Sequence, residues 1–397
     1  MKLMKKTIKD YNLENKKVII RVDFNVPIKE GIITDDTRIK RAIPTIKYAV
    51  SHGARVILLS HLGKIKERDD LEKNNLYPVF RRLAELLSTK VFFVDKTRGV
   101  EVEGKVDNLK EGEVLLLQNT RYEDLEGKKE SSCDASLASY WASLGDIFIN
   151  DAYGTCHRAH ASNVGIARLL PNGIGFLVEE EILKLDEMLK EDTHPFVVIM
   201  GGAKVHDKIK VIRNLIQTCD TLLIGGGMAY TFLAASNYPI GKSLVDFESL
   251  SFCREILENY KDKIVLPIDH LVSGSISSDS VSLKRINDTT ELDMGFDIGP
   301  ATVLLFQDKL RDAKRVIMNG PMGCFENNHY QEGTKGILDF LAENHIKTLI
   351  GGGDSAACVN QLSDVKKFYH VSTGGGATLE YLEGDVLPGI GVIDEKE

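Results

Sequence analysis

The chain has no stretch of 18 uninterrupted apolar residues, which excludes a spanning helix, and residues 1–17 are lysine-rich with no apolar core of the kind a secretory signal needs. Its six cysteines, at 133, 156, 219, 253, 324 and 358, form no CxxC pair and no short regular spacing, so a disulfide framework and a zinc ribbon are both excluded. They read as reduced thiols of a cytoplasmic protein. An excess of basic residues is missing too: the net charge is -8, which argues against broad nucleic-acid binding. No GxGxxG occurs, so a dinucleotide fold lacks its fingerprint. Gly241-Lys242-Ser243 imitates the end of a phosphate loop, but Ser236 stands where the first glycine belongs and Pro239 interrupts the segment.

What the chain does have is one device used twice. Short apolar, β-branched runs alternate with helical stretches such as 44–52 and 78–87, a pattern that builds parallel sheets from βα units. At 397 residues, two domains follow, each large enough for its own core. The expected class is α/β, with two doubly wound, Rossmann-like parallel-sheet domains joined by a long helix and hinge. Phe176 to Asp192 supplies that helix, with Ile182, Leu185 and Leu189 on one face and no proline until Pro195. The division expected is 1–175, the connecting helix 176–192, a second domain 193–380, and a tail 381–397 returning to the first domain. Glycines and Pro388 make the end of that tail read as extended, and the Ser- and Asp-rich stretch 273–290 reads as loops or a hairpin.

The two halves end their strands in different chemistry. In open parallel sheets ligands sit beyond the carboxyl ends of the strands, so in the first half Asp23, Asn25, Arg38, His61, Lys64, Arg121 and Arg158 should converge. Four cations and a histidine gathered in an acidic protein need a strongly anionic ligand, and a small phosphorylated carboxylate fits. His157 and His160 lie three apart but lack a third metal-type ligand nearby, which favours a packed or substrate-facing role. In the second half the strands run into Gly201-Gly202-Ala203-Lys204, Gly225 to Gly227, Gly351 to Gly353 and Gly374 to Gly376. Such loops let backbone amides approach phosphate oxygens. On a helix starting after Gly202, Lys204 and Lys208 would share the face beside its N-terminus. Asp354 is a candidate ligand for nucleotide-bound Mg2+, or alternatively the cap of the next helix. Glu326, beyond Asn319-Gly320-Pro321, is placed to accept from ribose hydroxyls.

The stretches RVDFNVP (21–27), DDTRI (35–39), SHLG (60–63), DAYGTCHRAHAS (151–162), GGAKVHDKI (201–209), GGGMAYTFL (225–233), NGPMGCFE (319–326), GGGDSAA (351–357) and STGGGATLE (372–380) closely resemble phosphoglycerate kinases. The resemblance runs in the family's order from about Lys6 to Gly391. It implies reversible phosphoryl transfer from 1,3-bisphosphoglycerate to ADP in glycolysis, by a cytoplasmic monomer with no prosthetic group, no membrane partner and Mg2+ carried on the nucleotide. By motif, Asp23, Asn25, Arg38, His61, Arg121 and Arg158 would hold phosphoglycerate. Gly201, Gly202, Lys204, Lys208, Gly225, Gly226, Asn319, Pro321, Glu326, Gly351, Gly352, Gly353, Asp354 and Ser355 would hold the nucleotide. Arg38, Lys204 and the amides of Gly374, Gly375 and Gly376 would act on the transferred group. Lys64 departs from the family's usual arginine, keeping the charge but losing the bidentate fork. Gln118-Asn119-Thr120-Arg121 departs from the usual Glu-Asn-Val-Arg. A dehydrogenase would show an NAD fingerprint, and a noncatalytic nucleotide sensor would not need the basic cavity.

Overall fold

The computed structural model describes residues 4–396. The chain divides into two compact units, one made of the residues up to Leu183 together with Val386 onward, the other of Lys184–Asp385.

In the first unit, apolar runs form β1 (Lys17–Arg21), then a small hairpin of β2 (Ile28–Lys29) and β3 (Ile32–Ile33), then β4 (Arg55–Leu59), β5 (Val91–Val94), β6 (Val114–Leu117), β7 (Ile147–Asn150) and β8 (Asn172–Ile174). Apart from the hairpin these make one parallel sheet in the order β5-β6-β4-β1-β7-β8. β1 is buried on both faces from Val18 to Arg21, as expected of a central strand covered by helices on each side. Helix Thr37–Ser51 starts seven residues before the 44–52 stretch expected from the sequence and carries Pro44 in its interior, which puts Arg38 on its first turn. The carboxylate of Asp151, just past β7, accepts N–H bonds from Leu177 (2.9 Å) and Val178 (3.4 Å), and this fixes the start of helix Phe176–Lys190.

The second unit holds β9 (Phe196–Met200), β10 (Thr221–Ile224), β11 (Ile264–Val265), β12 (Asp269–Ser273), β13 (Ser282–Arg285), β14 (Met294–Ile298), β15 (Arg315–Asn319), β16 (Lys347–Gly351) and β17 (His370–Val371). Its parallel sheet runs β11-β10-β9-β15-β16-β17, so that, ranked along the chain, the six strands read 3-2-1-4-5-6, the order of the doubly wound dinucleotide folds. The first unit differs: ranked the same way, its strands read 3-4-2-1-5-6, the fourth lying between the third and the second instead of beside the first, which no hydrophobic pattern could reveal. β13-β12-β14 form a separate antiparallel sheet, and in the stretch 273–290, read as loops or a hairpin, β12 turns back into β13 as a hairpin.

The segment from Val386 onward is not simply extended. Pro388–Gly391 make one helical turn, because proline presets the φ of a first helical residue. It hydrogen-bonds within the first unit: Gly389 N to Cys156 O at 2.8 Å, Asn150 Nδ2 to Gly389 O at 3.0 Å, and Lys6 N to Asp394 O at 2.8 Å. None of the six cysteines is paired in a disulfide. Among the described residues no helix is long and apolar enough to cross a membrane.

Candidate active site

The carboxyl ends of β1, β4, β6 and β7 carry the polar residues of the first unit. Arg38 reaches back from its helix to Asp23, Nη1 to Oδ2 at 2.9 Å. Asn25 Oδ1 accepts from Gly63 N at 2.9 Å and so ties the loop after β1 to the loop after β4. His61 is buried, and its Nδ1 lies 3.2 Å from Arg21 Nη2. A guanidinium only donates, so Nδ1 accepts and the ring proton sits on Nε2. Burial, then the charges of Arg21, Arg121 and Arg38, hold the His61 pKa well below 6.5. His160 is pushed down to about 3 by burial and then by Arg21, Arg121 and Arg158. Both rings are therefore neutral at physiological pH.

Lys64, Arg121, Ser131, His157, Arg158, Ala159 and His160 line a cavity of about 390 Å3. Arg121 Nε is buried and has no hydrogen-bond partner within the chain, which carries a desolvation cost. Lys64 and Arg158 are exposed, whereas Arg21 is fully buried. Sequence reasoning placed no role on Arg21, although it sits at the end of β1, where the strand-end rule applies. Its Nε donates to Ser162 Oγ at 2.8 Å, and Ser162 donates on to the buried carboxylate of Glu130. Glu130 lies in a polar loop and gave no sequence signal at all.

In the second unit the glycine loops have a different use from the one their composition suggested. Gly201 N donates to Asn319 O, Gly202 N to Pro321 O, Gly225 N to Met200 O and Gly226 N to Met322 O, all at 2.8 to 3.0 Å. These four amides are engaged by neighbouring loops and are not free for phosphate. The glycines instead allow three loops to stack: a Cβ on Gly226, whose φ is +65°, would lie 2.6 Å from both Gly202 N and Pro321 O. Gly374 N likewise donates to Ser372 Oγ at 3.2 Å, while Gly375 and Gly376 stand at the start of the next helix, less buried.

The helix expected to begin after Gly202 begins at Ile209, after a single 3-10 turn at His206–Lys208, so Lys204 and Lys208 share no helical face. Lys204 is exposed, whereas Lys208 turns under the loops and donates to Gly201 O (2.6 Å) and Asn319 O (3.1 Å). Its burial lowers the ammonium pKa to about 8, and Asp354 works against that shift. Helix Gly353–Leu362 is capped by Gly352 at φ +97°, so Asp354 is no cap but an exposed carboxylate on the first turn. Ser355 Oγ accepts from Gly320 N at 2.6 Å, and Asn319 Nδ2 donates to Gly351 O at 2.9 Å. Above these loops lies a cavity of about 420 Å3, its walls including Gly202, Gly226, Leu244, Met294, Phe296, Pro321, Phe325, Glu326 and Asp354. Apolar walls, glycine edges and one carboxylate at a helix start suit a base, a ribose and a metal-bound phosphate tail.

One unit with a cation-lined cavity and a second, Rossmann-ordered unit with a glycine-edged one define a two-domain α/β kinase acting on a small anionic metabolite. The family model for phosphoglycerate kinase matches residues 8–385. Phosphoglycerate kinases of Enterococcus faecalis, 52% identical over 400 residues, and Listeria innocua, 51% identical over 396, are each matched over 99% of this chain and 100% of their own length. Among solved structures, phosphoglycerate kinase from Coxiella burnetii superposes with a TM-score of 0.87 at 36% identity, covering 98% of both chains. That from Pyrococcus horikoshii does so at 0.84 and 31%, covering 97% of this chain and 98% of its own. The chain belongs to the phosphoglycerate kinase family. It is accordingly a transferase of glycolysis, moving a phosphoryl group reversibly between 1,3-bisphosphoglycerate and ADP.

Proposed function

We propose that the phosphoglycerate is held by Lys64, Arg121 and Arg158 of the cation-lined cavity together with Asp23, Asn25, Arg38 and His61, which do not line that cavity but belong to the same unit. The observation that carries this reading is the gathering of Lys64, Arg121 and Arg158 around one cavity. Neutral His61, with its proton on Nε2, donates to the substrate and adds no charge of its own. The second cavity takes ADP or ATP. Gly201, Gly202, Gly225, Gly226 and Pro321 shape its floor, Glu326 meets the ribose, and Gly351 to Ser355 present the phosphates to the start of a helix. Lys208 has three donors, two engaged by the Gly201 and Asn319 carbonyls, which leaves the third for a phosphate oxygen.

Mg2+ fits Asp354. Among the described residues no three His, Cys, Asp or Glu side chains gather into a metal site, so an ion there would be shared with nucleotide oxygens, as this metal prefers. When bound it neutralises phosphate charge.

The attacking oxygen, from ADP in one direction and a carboxylate in the other, is already ionised at pH 7, so no general base is needed. What the residues supply is alignment and charge: Arg38, Lys204 and the amides of Gly375 and Gly376 stabilise the phosphoryl group in flight. Donor and acceptor must meet with water excluded, which calls for closure about helix Phe176–Lys190. The enzyme acts as a cytoplasmic monomer.

The test is 3-phosphoglycerate-dependent formation of ADP from MgATP, with the acyl phosphate removed by a coupled reduction. Arg38→Ala should lower kcat by roughly 10² to 10⁴-fold and leave MgATP affinity nearly intact. A large loss of nucleotide binding in that variant would refute the role given to Arg38.

A further inference from the structure

The wall of the nucleotide cavity is built from two strips of chain. One is β14, contributing Met294, Gly295 and Phe296. The other runs on from Gly323 through Cys324, Phe325 and Glu326. The strips are joined by Cys324 N to Phe296 O at 2.8 Å and by a bridge between Asp297 and Gly323. Asp297, the next residue of β14, does not line that cavity. It is only 2% exposed.

Its carboxylate is not idle there. Oδ2 accepts from Gly333 N at 2.7 Å, in the first turn of helix Glu332–Glu343, and Oδ1 accepts from Ile298 N at 2.9 Å. Glycine at both ends of the Gly323–Gly333 segment leaves room for the same oxygen: a Cβ at either position would lie 2.2 Å from Oδ1. Two glycines eleven residues apart in an inclusive count, each leaving room for one carboxylate, mark a fitted seat. Burial lifts the carboxyl of Asp297 to about 8, the Gly333 and Ile298 amides oppose that rise, and Glu332 adds to it. An acid held so expensively needs a reason beyond filling space.

We propose that Asp297 is a positioning residue for the nucleotide: its carboxylate holds the Gly333 end of the Gly323–Gly333 segment while its backbone bridges the Gly323 end to β14, and so it fixes the wall that carries Phe325 and Glu326. It touches no ligand. The inference rests on the reading of this cavity as the ADP and ATP site, and it assigns the side chain that holds that site in shape.

Direct binding of MgADP and of 3-phosphoglycerate, measured separately by calorimetry on the parent, Asp297→Ala, Asp297→Asn and Gly333→Ala, tests it. Asp297→Ala should weaken MgADP roughly tenfold or more and leave 3-phosphoglycerate affinity unchanged. Asparagine keeps one acceptor and should restore part of the loss. Gly333→Ala, which retains the carboxylate but displaces it, should reproduce the alanine phenotype even where Asp297→Ala fails to fold. A folded Asp297→Ala, or a folded Gly333→Ala, that binds MgADP like the parent would overturn the inference. Equal losses for both ligands would overturn it as well, because they would mark general loosening. A parent that binds 3-phosphoglycerate but no MgADP would instead refute the underlying reading of the cavity.

Discussion

His160 is a buried ring whose proton affinity the surroundings push down to about 3, against 6.5 for a free histidine. Between those values the unfolded chain binds the proton and the folded chain does not. The stability tied to this ring is therefore complete above pH 6.5 and is lost as the pH falls toward 3. His160→Gln should flatten the acid limb of a urea stability profile between pH 7 and 4, and an unchanged slope would show that the ring is not held neutral. Gln118 makes a second case. It replaces the family's usual glutamate, and its Nε2 donates to Asp95 Oδ1 at 2.5 Å while its Oε1 accepts from Leu76 N and Asn119 N. A glutamate here would oppose Asp95 with like charge, so Gln118→Glu should lower the melting temperature by several degrees at pH 7 and much less at pH 4, where the new carboxyl binds a proton. At this scale the sequence was readable wherever a polar residue interrupts an apolar strand, as at Asp23 and His61. It was opaque at Arg21, whose aliphatic stem and full burial make it look like one more strand residue, and at Glu130, whose partner Ser162 is distant along the chain.

Loops in this protein are held by single side chains that reach across several of them. Asn119 is fully buried and uses both ends of its amide: Nδ2 donates to Leu62 O (2.7 Å) and Asn74 O (2.9 Å), while Oδ1 accepts from Leu62 N (3.1 Å) and Arg121 N (3.0 Å). It thereby sets the loop bearing His61 and Lys64 against the turn bearing Arg121. Asn119→Ala should cost about 2–4 kcal/mol in chemical denaturation, since it leaves buried backbone groups without partners, and should raise KM for 3-phosphoglycerate. Asn119→Asp, whose second oxygen would face the Leu62 and Asn74 carbonyls that Nδ2 now serves, should cost at least as much at neutral pH. The elements themselves were largely visible from apolar runs and helical spacing. Their starts were not: Arg38 was placed before a helix it in fact opens, and Lys208 on a helix it in fact precedes. At the first of these starts Asp35 Oδ1 accepts from Thr37 N at 2.9 Å, and at the second Lys208 is drawn to the carbonyls of Gly201 and Asn319.

On the scale of the whole molecule, two compact units share helix Phe176–Lys190, with the division falling after Leu183. If catalysis needs closure, small-angle scattering should give a smaller radius of gyration with both 3-phosphoglycerate and a nonhydrolysable MgATP analogue than with neither, and identical profiles would count against it. Sequence spacing revealed two sheets, but the insertion of β6 between β5 and β4 in the first sheet depends on which strand edges meet, and composition does not record that. Residues from Val386 onward contribute Leu387, Ile390 and Ile393 to the buried interior. Removing them should destabilise the first unit by on the order of 5 kcal/mol from lost apolar burial, while the nucleotide-binding unit keeps its MgADP affinity.

The return of that segment also orders events in time. Residues 386–396 are synthesised after all of Lys184–Asp385, yet they complete the unit that residue 4 opens, down to the bond from Lys396 N to Met4 O at 2.6 Å. On the ribosome, the unit begun first is finished last. The unit Lys184–Asp385, whose strands lie in one unbroken stretch of chain, can settle while its predecessor still lacks its closing strip.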